Sequence, residues 1–410
     1  MQLPGLLGVL ALLAARGPGD GVSAQDLRRV TEPQTPPTCV SLTPSGADDT
    51  AAIQAALDSC AGGGKGVALT RGDYNSGPLR IPSGAGLVVQ RGATLKAIPD
   101  PRLYGPASCG TLAPHGDRCT PFILMSGVKG SGIYGGGTID GQGHHKLVGS
   151  NMSWYDLTTH AGAGLCQNNP RLVQIRDSRD ITVHNVTLLN SPYFHLVTYN
   201  TTGFTAWGVT VRAPADVGNT DAIDPTGSQN VTVAHCDIST GDDNVAISSL
   251  HSPARHISVL NNHFGHGNGM SIGSGTLYGV SDVLVSGLTL DGSVNGVHVK
   301  SDSLNGGLVE NIVYQDICVR GAVKPIHLDM EYMNHTGSHT PHFRNISFNH
   351  MRVVTPGRFK FYGISASNQV QASLSDFHFT KGSIWLTSYA NVTGTALKDA
   401  TGSCGWAGNK

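Results

Sequence analysis

A period of about 26 residues runs through the second half of the chain. Aligning Asp180-Ile181-Thr182-Val183, Gly203-Phe204-Thr205-Ala206, Asn230-Val231-Thr232-Val233, His256-Ile257-Ser258-Val259, Asp282-Val283-Leu284-Val285, Asn311-Ile312-Val313-Tyr314 and Asn345-Ile346-Ser347-Phe348 gives spacings of 23, 27, 26, 26, 29 and 34 residues. A period of this size predicts a solenoid, because one repeat cannot bury its apolar face until neighbours stack on it. The units are short apolar alternations broken by turn residues, rich in Val, Ile and Thr, in a chain with 54 Gly, so the rungs are strands. The Leu-x-x-Leu and Trp-Asp signatures of leucine-rich and propeller repeats are absent. The expected fold is therefore all-β: a single-stranded right-handed parallel β-helix over residues 40–410, one domain, with a short N-terminal capping helix.

Within this frame, phase brings acidic residues together. In residues 219–300, polar clusters precede strand-like segments whose first apolar residues are Ile223, Val245, Met270 and Val297. Two residues before each stand Asp221, Asp243, Asn268 and Asn295. On stacked parallel rungs, equivalent positions lie roughly 4.8 Å apart. Asp221 and Asp243 then share a patch with Asp242. Like charges that close raise one another's pKa and stabilise nothing, so the grouping points to chemistry. Asp224 reads as a structural turn or core residue, and Asp302 as a solvated one.

The flanks are simpler. Leu3 to Ala15 is an apolar run too short to span a bilayer, and Val22-Ser23-Ala24 before Gln25 offers a small-residue cleavage site, so residues 1–24 read as an export signal and the protein as secreted. Residues 25–39, with a Pro-rich stretch, read as a linker. Asp49 is the expected N-cap of a helix whose Ile53, Leu57 and Cys60 share one face. Residues 97–118 read as an irregular loop, and residues 141–164 carry no readable conformation. Eight cysteines suit an oxidising compartment; Cys39 with Cys60 and Cys109 with Cys119 are the local pairs, and partners for Cys166, Cys236, Cys318 and Cys404 are not readable. A net charge of -1 with 13% charged residues indicates no nucleic-acid surface, and no later segment suits a membrane.

The motifs carry a family resemblance from the cap helix to about Met330. Gln167-Asn168-Asn169-Pro170-Arg171, Asn190-Ser191-Pro192-Tyr193-Phe194-His195, Asn219-Thr220-Asp221-Ala222-Ile223-Asp224, Gly241-Asp242-Asp243-Asn244, Met270-Ser271-Ile272-Gly273 and Lys300-Ser301 occur in order. The chain resembles glycoside hydrolase family 28, the polygalacturonases, and most the secreted bacterial type. That resemblance implies hydrolysis of α-1,4-galacturonosidic links in pectic polysaccharide with inversion, endo-acting, by a monomer without metal or organic cofactor. It implies Asp242 as general acid, with Asp221 and Asp243 orienting and deprotonating the water. For an inverting pair, carboxyl groups about 6.5 to 9.5 Å apart are expected. Substrate-binding roles fall to Lys300, His298, Asn268 and Asn219.

Two departures touch this set. The family's Gly-His-Gly is in register with Gly267-Asn268-Gly269, so Asn268 takes the histidine's place; His266, in a Gly-His-Gly displaced by two residues, is the alternative. The family's Arg-x-Lys is His298-Val299-Lys300, and imidazole lacks the guanidinium fork. The expected tyrosine also moves by one step, to Tyr332. A polysaccharide-binding relative without turnover, an exo-acting enzyme, another pectic substrate (rhamnogalacturonan or xylogalacturonan), and a calcium-dependent β-helical lyase are the alternatives; Asp242-Asp243 with Asn219-Thr220-Asp221 favours hydrolysis.

Overall fold

The computed structural model describes residues 25–116 and 119–405; the export signal expected over residues 1–24 lies outside them. Every expected rung forms, and the rungs stack in parallel as a β-helix. One long wall is an 11-stranded parallel sheet whose strands include Leu79–Arg80, Ile123–Ser126, Val173–Arg176, Leu196–Tyr199, Ile223–Thr226, Val245–Ile247, Met270–Ile272 and Asn295–Lys300. Its register pairs Ile223 with Val245, Val245 with Met270, and Met270 with Val297. These are the four residues from which the phase was counted.

Alternation along each strand divides the wall's two faces. Ile123, Val173, Leu196, Ile223, Val245, Met270, Val297 and Ile326 form one inward column, each wholly shielded from solvent. At about 1.5–3 kcal/mol per fully buried side chain, such columns offset the chain entropy of ordering the coils, but only while both ends stay covered. At the first end the helix Thr50–Ser59 buries Ile53, Ala56 and Leu57. At the other, Trp385 stacks on Phe359 and Phe361 and meets the edges of Phe377 and Phe379.

The repeat's first residues have a backbone reason to be Asp, Asn, His or Gly. Asp180, Gly203, Asn230, His256, Asp282, Asn311 and Asn345 all adopt positive φ, between 48° and 81°. They are left-handed corners one to three residues inside each strand, and short polar side chains or glycine tolerate that conformation best. The aligned pattern is thus a ladder of corners as well as of strands.

Four local readings change. Residues 25–37 are a strap against a second, larger sheet, whose strands include Gln229–Ala234 and Ala254–Leu260. Asp26 is buried, its backbone N–H donates to Ser258 Oγ at 3.0 Å, and its Oδ2 accepts from Thr232 Oγ1 at 2.8 Å; the Arg28 guanidinium reaches the Phe204 carbonyl at 2.9 Å. Asp49 sits at the N-cap but its carboxylate accepts from Ser45 N–H, while Asp48 accepts from Thr50 N–H. Within residues 141–164 lies the helix Trp154–His160, started by a reciprocal Ser153/Asp156 capping box. Asp302 is wholly buried and organises its loop, accepting from Leu304 and Asn305 N–H and meeting His335 Nδ1 at 2.9 Å. The disulfides Cys39–Cys60 and Cys109–Cys119 form, and Cys318 joins Cys404 near the last coil.

Candidate active site

Asp221, Asp242 and Asp243 stand where chain corners enter two adjacent strands, Ile223–Thr226 and Val245–Ile247. Backbone bonds lock the corners together. Ala222 N–H donates to the Asp243 carbonyl at 3.0 Å, and His195 N–H to the Asp221 carbonyl at 2.8 Å. One carboxylate oxygen from each of the three Asp lies within 4.8 Å of the other two. They face an open groove of about 1080 Å³ that is lined from Arg80 to Tyr332.

Each carboxylate has a different shell. Asp242 is the least buried; its Oδ2 accepts from Asn219 N–H at 2.9 Å, and its Oδ1 from Asn268 Nδ2 at 2.9 Å and Asp243 N–H at 3.0 Å. Asp243 is buried, with Ser271 Oγ donating to Oδ1 at 2.7 Å and Lys300 Nζ donating to Oδ2 at 2.9 Å. Asp221 is buried, and its Oδ1 has no hydrogen-bond partner among the described residues. Burial, then Asp224, Asp242 and Asp243, push the Asp221 carboxyl well above the ordinary carboxylate range. Burial also raises Asp243, against the pull of Lys300. Burial alone would lower Lys300, yet Asp243, Tyr332 and Asp242 hold its ammonium above the usual range. The 2.9 Å contact with an ammonium so firmly charged favours the anionic form of Asp243 against the cost of its burial.

Asp224, read from the sequence as structural, lines the groove as a fourth carboxyl. It follows Asp221 by three residues and is buried, its Oδ1 without a hydrogen-bond partner among the described residues. Burial, Asp243 and Asp242 raise its carboxyl well above the usual range, against Arg171 and Lys300. A folded-state pKa raised above the unfolded value means the folded chain binds more protons between the two. Stability is then fully present below the unfolded value and declines as pH rises toward the folded one. Asp224→Asn removes that dependence: its melting temperature relative to wild type is expected to be higher at pH 7 than at pH 4, read by calorimetry at both. An equal difference at the two values would contradict the assignment.

The remaining expected residues divide. Asn268, not His266, meets the acids; His266 Nε2 lies 3.0 Å from the Ala213 carbonyl. Asn268 holds its register because both neighbours are glycine: a Cβ on Gly269 would sit 2.1 Å from the Asn295 carbonyl oxygen, and one on Gly267 2.6 Å from the Asn244 amide. Asn219, at φ 55°, presents its N–H to Asp242 while its Oδ1 accepts from Gln167 Nε2 at 2.7 Å. His298 shares a face with Lys300, but both its ring nitrogens are sealed and have no hydrogen-bond partner among the described residues. The ring stacks on His327 at 4.9 Å, under the edge of Tyr332. Burial, Lys300 and His327 hold His298 well below the usual imidazole range, hence neutral. Tyr332, despite its shift by one residue, lines the groove with Lys300 Nζ 5.3 Å from its ring centre.

His195 was legible only as part of a motif. Its Nε2 accepts from Ser191 N–H at 3.2 Å, and its Nδ1 lies 3.1 Å from both the Thr220 and Asp221 carbonyls. Burial pulls its pKa down to about 4, so the neutral ring donates from Nδ1 and fixes the Asp221 corner.

Comparison with known proteins gives the chain its family. The family described as "Glycosyl hydrolases family 28" matches residues 85–398. An endo-polygalacturonase of Pectobacterium carotovorum subsp. carotovorum is 41% identical over 395 residues, covering 94% of this chain and 96% of its own. A polygalacturonase of Ralstonia solanacearum is 37% identical over 73% of this chain and 65% of its own. The solved polygalacturonase from Erwinia carotovora ssp. carotovora superposes with a TM-score of 0.87 at 40% identity, over 90% of this chain and all of that one. The chain belongs to glycosyl hydrolase family 28.

Proposed function

We propose that the protein is a secreted endo-polygalacturonase that hydrolyses α-1,4-galacturonosidic links in pectic polysaccharide with inversion. The observation that carries the reading is the carboxylate trio beside a buried ammonium, on the floor of a groove crossing eight strands. At about 4.8 Å per strand that groove runs roughly 34 Å, long enough for a polymer laid across the centre. Endo-polygalacturonase relatives at about 40% identity over nearly the whole chain support the substrate. Three disulfides support export.

The trio is close-set: one oxygen of each carboxyl lies within 4.8 Å of the others, nearer than the roughly 6.5 to 9.5 Å between carboxyl groups expected of an inverting pair. Spacing of that size between two carboxylates alone would suggest a covalent route. Three carboxylates change the geometry. A water donating to two oxygens at about 2.7–2.8 Å each spans about 4.5 Å, so Asp221 and Asp243 suit one shared water. Asp242, the most open of the three, gives its proton to the glycosidic oxygen as the bond from C1 breaks. The water's oxygen attacks C1 from the opposite face, and its proton passes to anionic Asp243. Asn219 and Asn268 fix the orientation of Asp242, and the neutral His195 ring fixes that of Asp221.

Product analysis tests this. Polygalacturonate should yield new reducing ends with the β configuration in early spectra, a fast fall in viscosity, and no unsaturated product. Early α product would favour the covalent route. Calcium-dependent ultraviolet absorbance would make the protein a lyase, binding without cutting would make it a lectin-like relative, and slow viscosity loss would make it exo-acting.

A further inference from the structure

The acidic patch lies between two sets of cations, and the mechanism above uses only one. Lys300 ends the strand Asn295–Lys300, two strands beyond Val245–Ile247. On the other side, Arg176 ends Val173–Arg176, two strands before Ile223–Thr226. Arg80 ends Leu79–Arg80, a further two strands away. Arg176 is in register with Tyr199 and, through it, with Thr226. All three side chains line the groove with the acids.

Their surroundings suit a ligand. Arg80 and Arg176 are exposed. Arg176 Nε meets Asp177 Oδ2 only at 3.4 Å, with both side chains about half exposed, a contact too weak to compete with a well-placed carboxylate. Behind them Arg171 is buried, its guanidinium 5.5 Å from the Tyr199 and Tyr193 ring centres and 5.4 Å from that of Phe194. Those cation–π contacts hold an aromatic wall beside Arg176. Four carboxyl groups in the middle of the groove repel an anionic chain, and charge complementarity on both sides offsets that repulsion. A guanidinium also offers a carboxylate two parallel donors.

We propose that Arg176 is a carboxylate-binding subsite for the acidic sugar chain on the side of the scissile bond away from Lys300. Arg80 extends the subsite along the groove, and Tyr199, held by Arg171, is the wall against which that sugar lies. The assignment rests on the polygalacturonate reading. From the strand spacing, Arg176 lies about 10 Å and Arg80 about 19 Å along the stack from Ile223–Thr226, so the two arginines meet different sugars.

The distances set the test. Arg176→Gln should raise KM about tenfold on both a galacturonate trimer and polygalacturonate, with kcat within about twofold. Arg80→Gln should raise KM on the polymer and leave the trimer unchanged. Arg176→Lys should recover part of the loss, since charge without the fork remains. An unchanged KM in Arg176→Gln, or a fall in kcat alone, overturns the proposal. An Arg80→Gln effect equal on trimer and polymer also overturns the length-dependent part. If the wild type cuts no polygalacturonate, the underlying reading fails instead. Calorimetric binding of the same oligomers then decides the subsite, with about tenfold weaker binding by Arg176→Gln expected and equal binding refuting it.

Discussion

Asp242→Asn is expected to lower kcat on polygalacturonate by about 10³-fold, within the range that a positioned general acid supplies, while KM changes by no more than a few-fold. The substitution preserves shape and removes the transferable proton. It also replaces one of the two acceptor oxygens. With Oδ1 kept for Asn268 and Asp243, the new amide nitrogen opposes the Asn219 N–H. That conflict costs about 1–3 kcal/mol locally, which a stability measurement can separate from the kinetic loss. Asp221→Asn and Asp243→Asn should each fall by about 10²-fold or more. The pair together should fall little further, because the two carboxylates act on one water and losses within one unit do not add. A loss below tenfold in Asp242→Asn would remove that residue from the chemistry.

The corners of this solenoid explain which parts of the site are readable in sequence. Asp221, Asp243 and Asn268 occupy equivalent steps of a ladder whose register is set by the apolar residue two positions later. Counting from Ile223, Val245 and Met270 therefore recovers true neighbours. The same count places Arg171 and Phe194 in that row, two residues before Val173 and Leu196. Asp224 was misread because alternation gives it the outward face only if Ile223 is inward and the corner ends at Ala222, and a buried carboxyl between apolar residues mimics a structural one. Asp302 shows the reverse case: a loop aspartate looks solvated until its two backbone donors are folded over it. His298 was placed on the correct face, but its burial depends on Tyr332 arriving from the following coil. The strap over residues 25–37 docks on side chains some 200 positions away, a contact that no local pattern encodes.

Lys300→Met is expected to cost about 3–5 kcal/mol of stability, the range for removing one partner of a buried ion pair, and most of the activity of the chains that remain folded. Among the described residues the ammonium is the only cation hydrogen-bonded to Asp243, which is 3% exposed and next to Asp242 in the chain. With the ammonium gone, burial and the neighbouring carboxylates act unopposed on Asp243 and raise its pKa further. The base then stays protonated at pH values where the wild type turns over, so the acid limb of the pH–rate profile should move to higher pH. A second change separates charge from shape. In Lys300→Met/Asp243→Asn the buried charge is absent, so most of the lost stability should return while activity does not. Failure of the double variant to recover stability would mean that Lys300 holds the fold through its packing beneath Tyr332. A single variant that kept both its stability and its pH profile would show that the 2.9 Å contact does not set the charge of Asp243.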